Sequence, residues 1–177
     1  MKRTFSLLSL FLFISFTMAQ TQLGSDIDGE AAGDYSGCSV SISSDGSKVA
    51  IGANQNDGNG SMSGHVRIYA HYGASWSQLG GDIDGEAAGD LSGYRSSVSL
   101  SSNGNTVAIG APKNDANGTN SGHVRVYSFN GTSWTQVGNA IDGESSPDWS
   151  GESVSLSSDG NIVAIGAENN SGNGTEA

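Results

Sequence analysis

The chain has 177 residues, seven of them Lys or Arg against 18 Asp or Glu, for a formal net charge of −11. So few cations cannot build a basic patch, which excludes the electrostatic footprint of a nucleic-acid or anionic-lipid binder. Cys38 is the single cysteine, so no intrachain disulfide can form and stability has to come from packing or from metal.

Residues 1–19 read as a secretory signal peptide. Lys2 and Arg3 form the basic start, Phe5 to Phe16 an apolar run broken only by serines, and Thr17, Met18 and Ala19 a cleavage site that separates Ala19 from Gln20. The run is shorter than the ~20 residues of a spanning helix, so the mature chain is expected to be exported with no membrane span. Removing the leader leaves five Lys/Arg against 18 Asp/Glu, a net charge of −13.

Residues 20–37 read as an orphan outer strand and a loop. Gln20 to Gly24 align with WSQLG at 76–80 and WTQVG at 134–138, the ends of later fourth strands. The loop is IDGEAAGD at 27–34, which returns unchanged at 83–90 and as IDGESSPD at 141–148.

The first repeat spans 38–93, the second 94–151, and a partial third 152–177; Asp34, Asp90 and Asp148 recur at intervals of 56 and 58 residues. The extra two residues lie where GYRSSV replaces GCSV and GESV. In each unit the first strand alternates Ser with Val or Ile (39–43 in the first copy), the period of a half-buried strand. Asp45-Gly46, Asn103-Gly104 and Asp159-Gly160 then predict two-residue type I′ hairpins into the second strand, 48–51 in the first copy. A polar loop leads to the third strand, 65–69, and a turn at Gly73 to the fourth, 75–79.

Four antiparallel strands per unit, repeated, predict an all-β fold of β-propeller blades. About 2.5 blades are present, an incomplete ring, which is expected to be a C-terminally truncated fragment completed by the remaining blades of a longer chain. Self-association into a ring is the alternative.

The motifs GCSV (37–40), GESV (151–154), AIGAP (108–112), GHVRIY (64–69) and GHVRVY (122–127) resemble the FG-GAP repeat family, whose blades build the integrin α-subunit propeller and many secreted bacterial proteins. The resemblance implies a propeller and a role in adhesion or ligand display. It departs at Ser36, Ser92 and Ser150, where the family has Phe, and GAP is intact only at 110–112. The calcium loop many members carry between the first two strands is here SSDGS, SSNGN and SSDGN, too short for six to eight oxygen ligands.

Clustered carboxylates beside glycine point instead to the interblade loops as calcium sites: Asp28, Glu30 and Asp34, then Asp84, Glu86 and Asp90, then Asp142, Glu144 and Asp148. The competing reading is a structural corner in which Asp34 and Ser36 bond nearby backbone amides. Asn56, Asp57 and Asn59, with Asn114, Asp115 and Asn117, lie in the polar loops of one rim and are candidate contacts for a protein or glycan ligand. His65 and His123 recur at one strand position and are read as structural, as are Trp76 and Trp134. No nucleophile elbow, phosphate loop or zinc spacing appears. The expected function is a secreted or cell-surface, non-catalytic scaffold for adhesion or protein/glycan interaction. The alternatives are a calcium-dependent carbohydrate-binding module and an accessory propeller of a larger secreted hydrolase.

Overall fold

The computed structural model describes residues 21–172 and Gly174. The signal segment with its Ala19–Gln20 cleavage site, and the end of the third rim loop, lie outside the described residues. Twelve strands and no helix occur among the described residues, so no helix there is long and apolar enough to cross a membrane.

The first sheet runs β1 (Ser36–Ile42), β2 (Lys48–Ala53), β3 (His65–Tyr72), β4 (Ser75–Gln78), all antiparallel neighbours. A two-residue strand, β5 (Ile83–Asp84), also pairs with β3, so β4 and β5 share its outer edge. The second sheet repeats this with β6 (Val98–Leu100), β7 (Thr106–Ala111), β8 (His123–Phe129), β9 (Trp134–Gln136) and β10 (Ile141–Asp142). The third has β11 (Ser153–Leu156) and β12 (Val163–Gly166).

Two expectations are corrected at this level. Residues 21–24, expected to close the last blade of a ring, form no strand: among the described residues the third-strand motif occurs at β3 and at β8, and the outer edges of both are already occupied. The hairpin at Asp45-Gly46 is not a two-residue I′ turn: Gly46 N donates to Ser43 O (2.9 Å) across Ser44 and Asp45, and positive φ falls on Gly46 alone (72°). Asp45 Oδ1 accepts from Ser47 N at 2.9 Å, and Ser43 Oγ accepts from Lys48 N at 3.0 Å. The side chains therefore close a four-residue loop without a second left-handed residue.

Successive sheets stack face to face. Ala50, Val66 and Ile68 of the first sheet pack with Val98, Leu100, Val107 and Ile109 of the second in one core, against which Leu79 and Trp134 lean. Backbones touch at paired glycines: a Cβ on Gly52 would strike the carbonyl of Gly93, and one on Gly110 that of Gly151. Polar ties repeat as well. Leu100 N donates to Ser41 Oγ (2.9 Å) and, one blade on, Leu156 N to Ser99 Oγ (3.0 Å). Trp76 Nε1 donates to Leu23 O (2.9 Å) as Trp134 Nε1 does to Leu79 O (2.7 Å). Residues 21–24 thus keep the tryptophan contact of a fourth strand without its pairing.

Candidate functional site

The polar residues of the interblade corners and rim loops converge in two kinds of cluster, each repeated. The first is built on the last acid of the corner. Asp34, Asp90 and Asp148 are all buried. Asp90 Oδ2 accepts from Ala87 N at 3.0 Å, three residues back, and from Asn114 Nδ2 at 2.9 Å in the rim loop. Asp34 does the same with Ala31 N (3.2 Å) and Asn56 Nδ2 (3.0 Å), and Asp148 with Ser145 N (2.8 Å) and Asn170 Nδ2 (3.3 Å). The residue after each acid, Tyr35, Leu91 or Trp149, is left-handed with φ between 54° and 57°, a conformation non-glycine residues hold only when their surroundings impose it.

The rim loops are braced from the same points. Asn56 Oδ1 accepts from Gly58 N (2.8 Å) and Asn114 Oδ1 from Ala116 N (2.9 Å). Asp57 Oδ1 takes Met62 N (2.8 Å) and Asp115 Oδ1 takes Asn120 N (2.7 Å). Asn59 Nδ2 reaches forward to Gly85 O and Glu86 O, both at 2.9 Å, and Asn117 Nδ2 to Gly143 O (2.8 Å) and Glu144 O (3.1 Å). Of the six rim residues singled out by sequence, Asn56 and Asn114 are therefore buried, and the other four spend a side-chain group within the fold. What the loop shows to solvent is its tip, 57–62, with Met62 at φ 54°.

The second cluster faces β3. His65 and Arg67 alternate along the strand and are 1% and 7% exposed. Arg67 Nη2 donates to Asp28 O (3.0 Å), Arg67 Nη1 lies 3.5 Å from Glu30 Oε1, and the guanidinium stands 5.7 Å from the centre of the Tyr69 ring. His65 Nδ1 has no hydrogen-bond partner and lies 3.8 Å from Glu30 Oε2 and 3.9 Å from Asp82 Oδ2. In the second unit Arg125 Nη1 donates to Glu86 Oε1 (3.2 Å) and Nη2 to Asp84 O (3.3 Å). There His123 Nδ1 stands 3.8 Å from Glu86 Oε2 and 4.0 Å from Asp142 Oδ1. Desolvation, then the Arg125 charge, pushes the His123 pKa down, which favours neutral imidazole. The Asp84 carboxyl is pushed up, first by burial and then by the charge of Asp82. Burial likewise raises the Tyr69 and Tyr127 phenols.

The three acids of a corner consequently face different ways. Asp34 turns into its rim loop, Glu30 toward β3, and Asp28 offers its carbonyl to Arg67. The amide of Asn56 stands between two of them, donating to Asp34 Oδ2 and, at 3.4 Å, to Glu30 Oε2. Asp142 and Glu144 are exposed. Among the described residues, Glu30, His65 and Asp82 form the one group whose ligand atoms all lie within 4.8 Å of one another. From sequence, His65 reads as structural and Asp82, like Asp26, only as a further acid beside the calcium candidates. The usable signal was the pair of chargeable residues at i and i+2 on strand three, repeated as His123 and Arg125 beside an acidic corner.

Antiparallel four-stranded units, joined through a shared core and through paired glycines, define a propeller-like stack of blades. Within that class, residues 26–69 match the family model described as FG-GAP repeat. The matched unit starts in the corner at Asp26 and ends on β3, so it includes the first cluster of the first copy and, apart from Asp82, the second. No curated protein matches the chain.

Proposed function

We propose that the chain is a secreted or cell-surface, non-catalytic β-propeller scaffold for adhesion or protein/glycan interaction. The observation that carries this reading is the bracing of the rim loops. Asp34–Asn56, Asp90–Asn114 and Asp148–Asn170 tie each loop to its corner by the same hydrogen bond. Successive blades so present loops of one shape, already ordered before a partner arrives, and little conformational entropy is lost on binding. Repetition also supports avidity, since neighbouring loops engage one extended partner at high effective concentration. FG-GAP repeats suggest this scaffold role and an extracellular setting.

The test has two arms. The exported protein should begin at Gln20 by intact mass. Binding to glycan arrays and to immobilised surface proteins should be lost when the exposed tip residues Ser61, Met62, Ala116 and Thr119, whose side chains brace nothing, are changed to Lys while the melting temperature holds. A ligand turned over chemically, or bound equally well by that variant, overturns the reading.

A further inference from the structure

Glu30, His65 and Asp82 come from three separate places: the first corner, the start of β3, and the connection from β4 to β5. What they share is an imidazole nitrogen that the fold has buried without satisfying. His65 is 1% exposed, its Nδ1 bonds to nothing, and both nearby carboxylate oxygens lie beyond hydrogen-bond distance, at 3.8 and 3.9 Å. A buried polar atom without a partner is costly, and this one points between two carboxylates.

We propose that His65 Nδ1, Glu30 and Asp82 hold one divalent transition-metal ion, zinc foremost, which clamps the first corner and the β4–β5 connection onto β3. The donor set carries the choice of ion. Calcium and magnesium take oxygen ligands, whereas a nitrogen with two carboxylates suits zinc and its first-row neighbours. Zinc at bonding distance sets tetrahedral ligand atoms about 3.3 Å apart, so each carboxylate has to close on His65 by roughly half an ångström. Their side chains are 44% and 30% exposed and have room to move. Glu30 is already oriented for this: Oε1 faces Arg67 at 3.5 Å, which leaves Oε2 turned toward the imidazole. Water completes the coordination on the open side.

The second unit is a built-in comparison. It keeps the imidazole at His123 and the carboxylate at Glu86, but Ala140 stands where Asp82 does in the first. Its other nearby acid, Asp142, is 4.0 Å from His123, and the ligand atoms of that trio do not all lie within 4.8 Å of one another as those of Glu30, His65 and Asp82 do. One site is therefore expected per chain, in the first unit.

The experiment is calorimetric titration of the tag-free, chelator-treated chain with zinc chloride, with cobalt(II) absorption reporting ligand type. One saturable equivalent is expected. Asp82→Ala, which copies the second unit, and Glu30→Gln should each weaken binding at least ~10-fold while Asp159→Asn does not. Because replacing buried His65 can unfold the chain, its role is read in the wild type, from imidazole nitrogen shifts on zinc addition. Absence of a saturable first equivalent, undiminished affinity in both variants, or shifts at His71 or His123 in place of His65 would each overturn the proposal.

Discussion

Replacing Asp90 by Ala separates the two readings of the acidic corner. The substitution strips the acceptor from two donors: Asn114 Nδ2, which is buried with it at 2.9 Å, and the part-buried Ala87 N at 3.0 Å. A buried donor left without a partner costs ~1–3 kcal/mol, and one that water can reach only about 0.5–1.5 kcal/mol. The expected loss is thus about 2–4 kcal/mol, a large share of a small domain's stability. Urea unfolding followed by tryptophan fluorescence measures it, with the slope checked for constancy. A double-mutant cycle with Asn114→Ala isolates the hydrogen bond, for which a coupling of ~1.5–3 kcal/mol is expected because the acceptor is a carboxylate. Millimolar calcium should leave the wild-type midpoint unchanged. A loss under about 0.5 kcal/mol with no coupling would refute the bracket. So would a calcium-induced stabilisation that vanishes in Asp90→Ala, since Asp90 would then be a metal ligand.

Gly110→Ala puts a methyl against the backbone of Gly151 in the next blade and should cost ~1–3 kcal/mol or more by overpacking. Gly81→Ala, which meets nothing within 4 Å, should stay within about 0.5 kcal/mol of wild type in the same melts. Asp45, fully exposed, is held at about 2 against an ordinary 3.8 by Ser47 N and the hydroxyls of Ser43 and Ser47. Its contribution to stability is thus complete above 3.8 and lost as pH falls through about 2. Carboxyl NMR titration should show that midpoint and an upward move in Ser47→Ala, and an ordinary midpoint in the wild type would contradict the hairpin geometry. Trp134→Phe removes the donor to Leu79 O and should cost ~0.5–1.5 kcal/mol in urea melts. Trp76→Phe, whose bond to Leu23 O is exposed, should cost less.

The strands with a period were legible in the sequence, and the features without one were not. Alternation marked all four strands of the first unit and set their order, but the two-residue β5 and β10 are too short to alternate. Ile83-Asp84 therefore read as the start of a corner when it is the end of a sheet. The hairpin was misjudged because an Asp-Gly signal says nothing of the flanking Ser43 and Ser47, whose hydroxyls shift the closure outward. The bracket did leave a trace: Asn56, Asn114 and Asn170 follow Asp34, Asp90 and Asp148 by 22, 24 and 22 residues, the longer interval spanning the two-residue insertion. The Glu30–His65–Asp82 grouping left only the chargeable pair His65 and Arg67 on strand three, since it joins three elements with no fixed spacing in the chain.

The inner strands show how far a period can mislead when taken alone. Val40 and Ile42 alternate with serines and read as the buried side of β1, yet they are 64% and 61% exposed, while Val98 and Leu100 at the same place in β6 are 6% and 8% exposed. Alternation says which residues share a face, and only a neighbour decides whether that face is covered. β6 has the first blade against its apolar side; β1 has no such neighbour among the described residues. The serine side, which looks like the solvated one, is where the next blade attaches, through Ser41 Oγ to Leu100 N and Ser99 Oγ to Leu156 N. Each inner strand thus has an apolar face for the blade before it and a hydroxyl face for the blade after. Two unlike faces make the stacking directional, so that identical repeats add in one sense only.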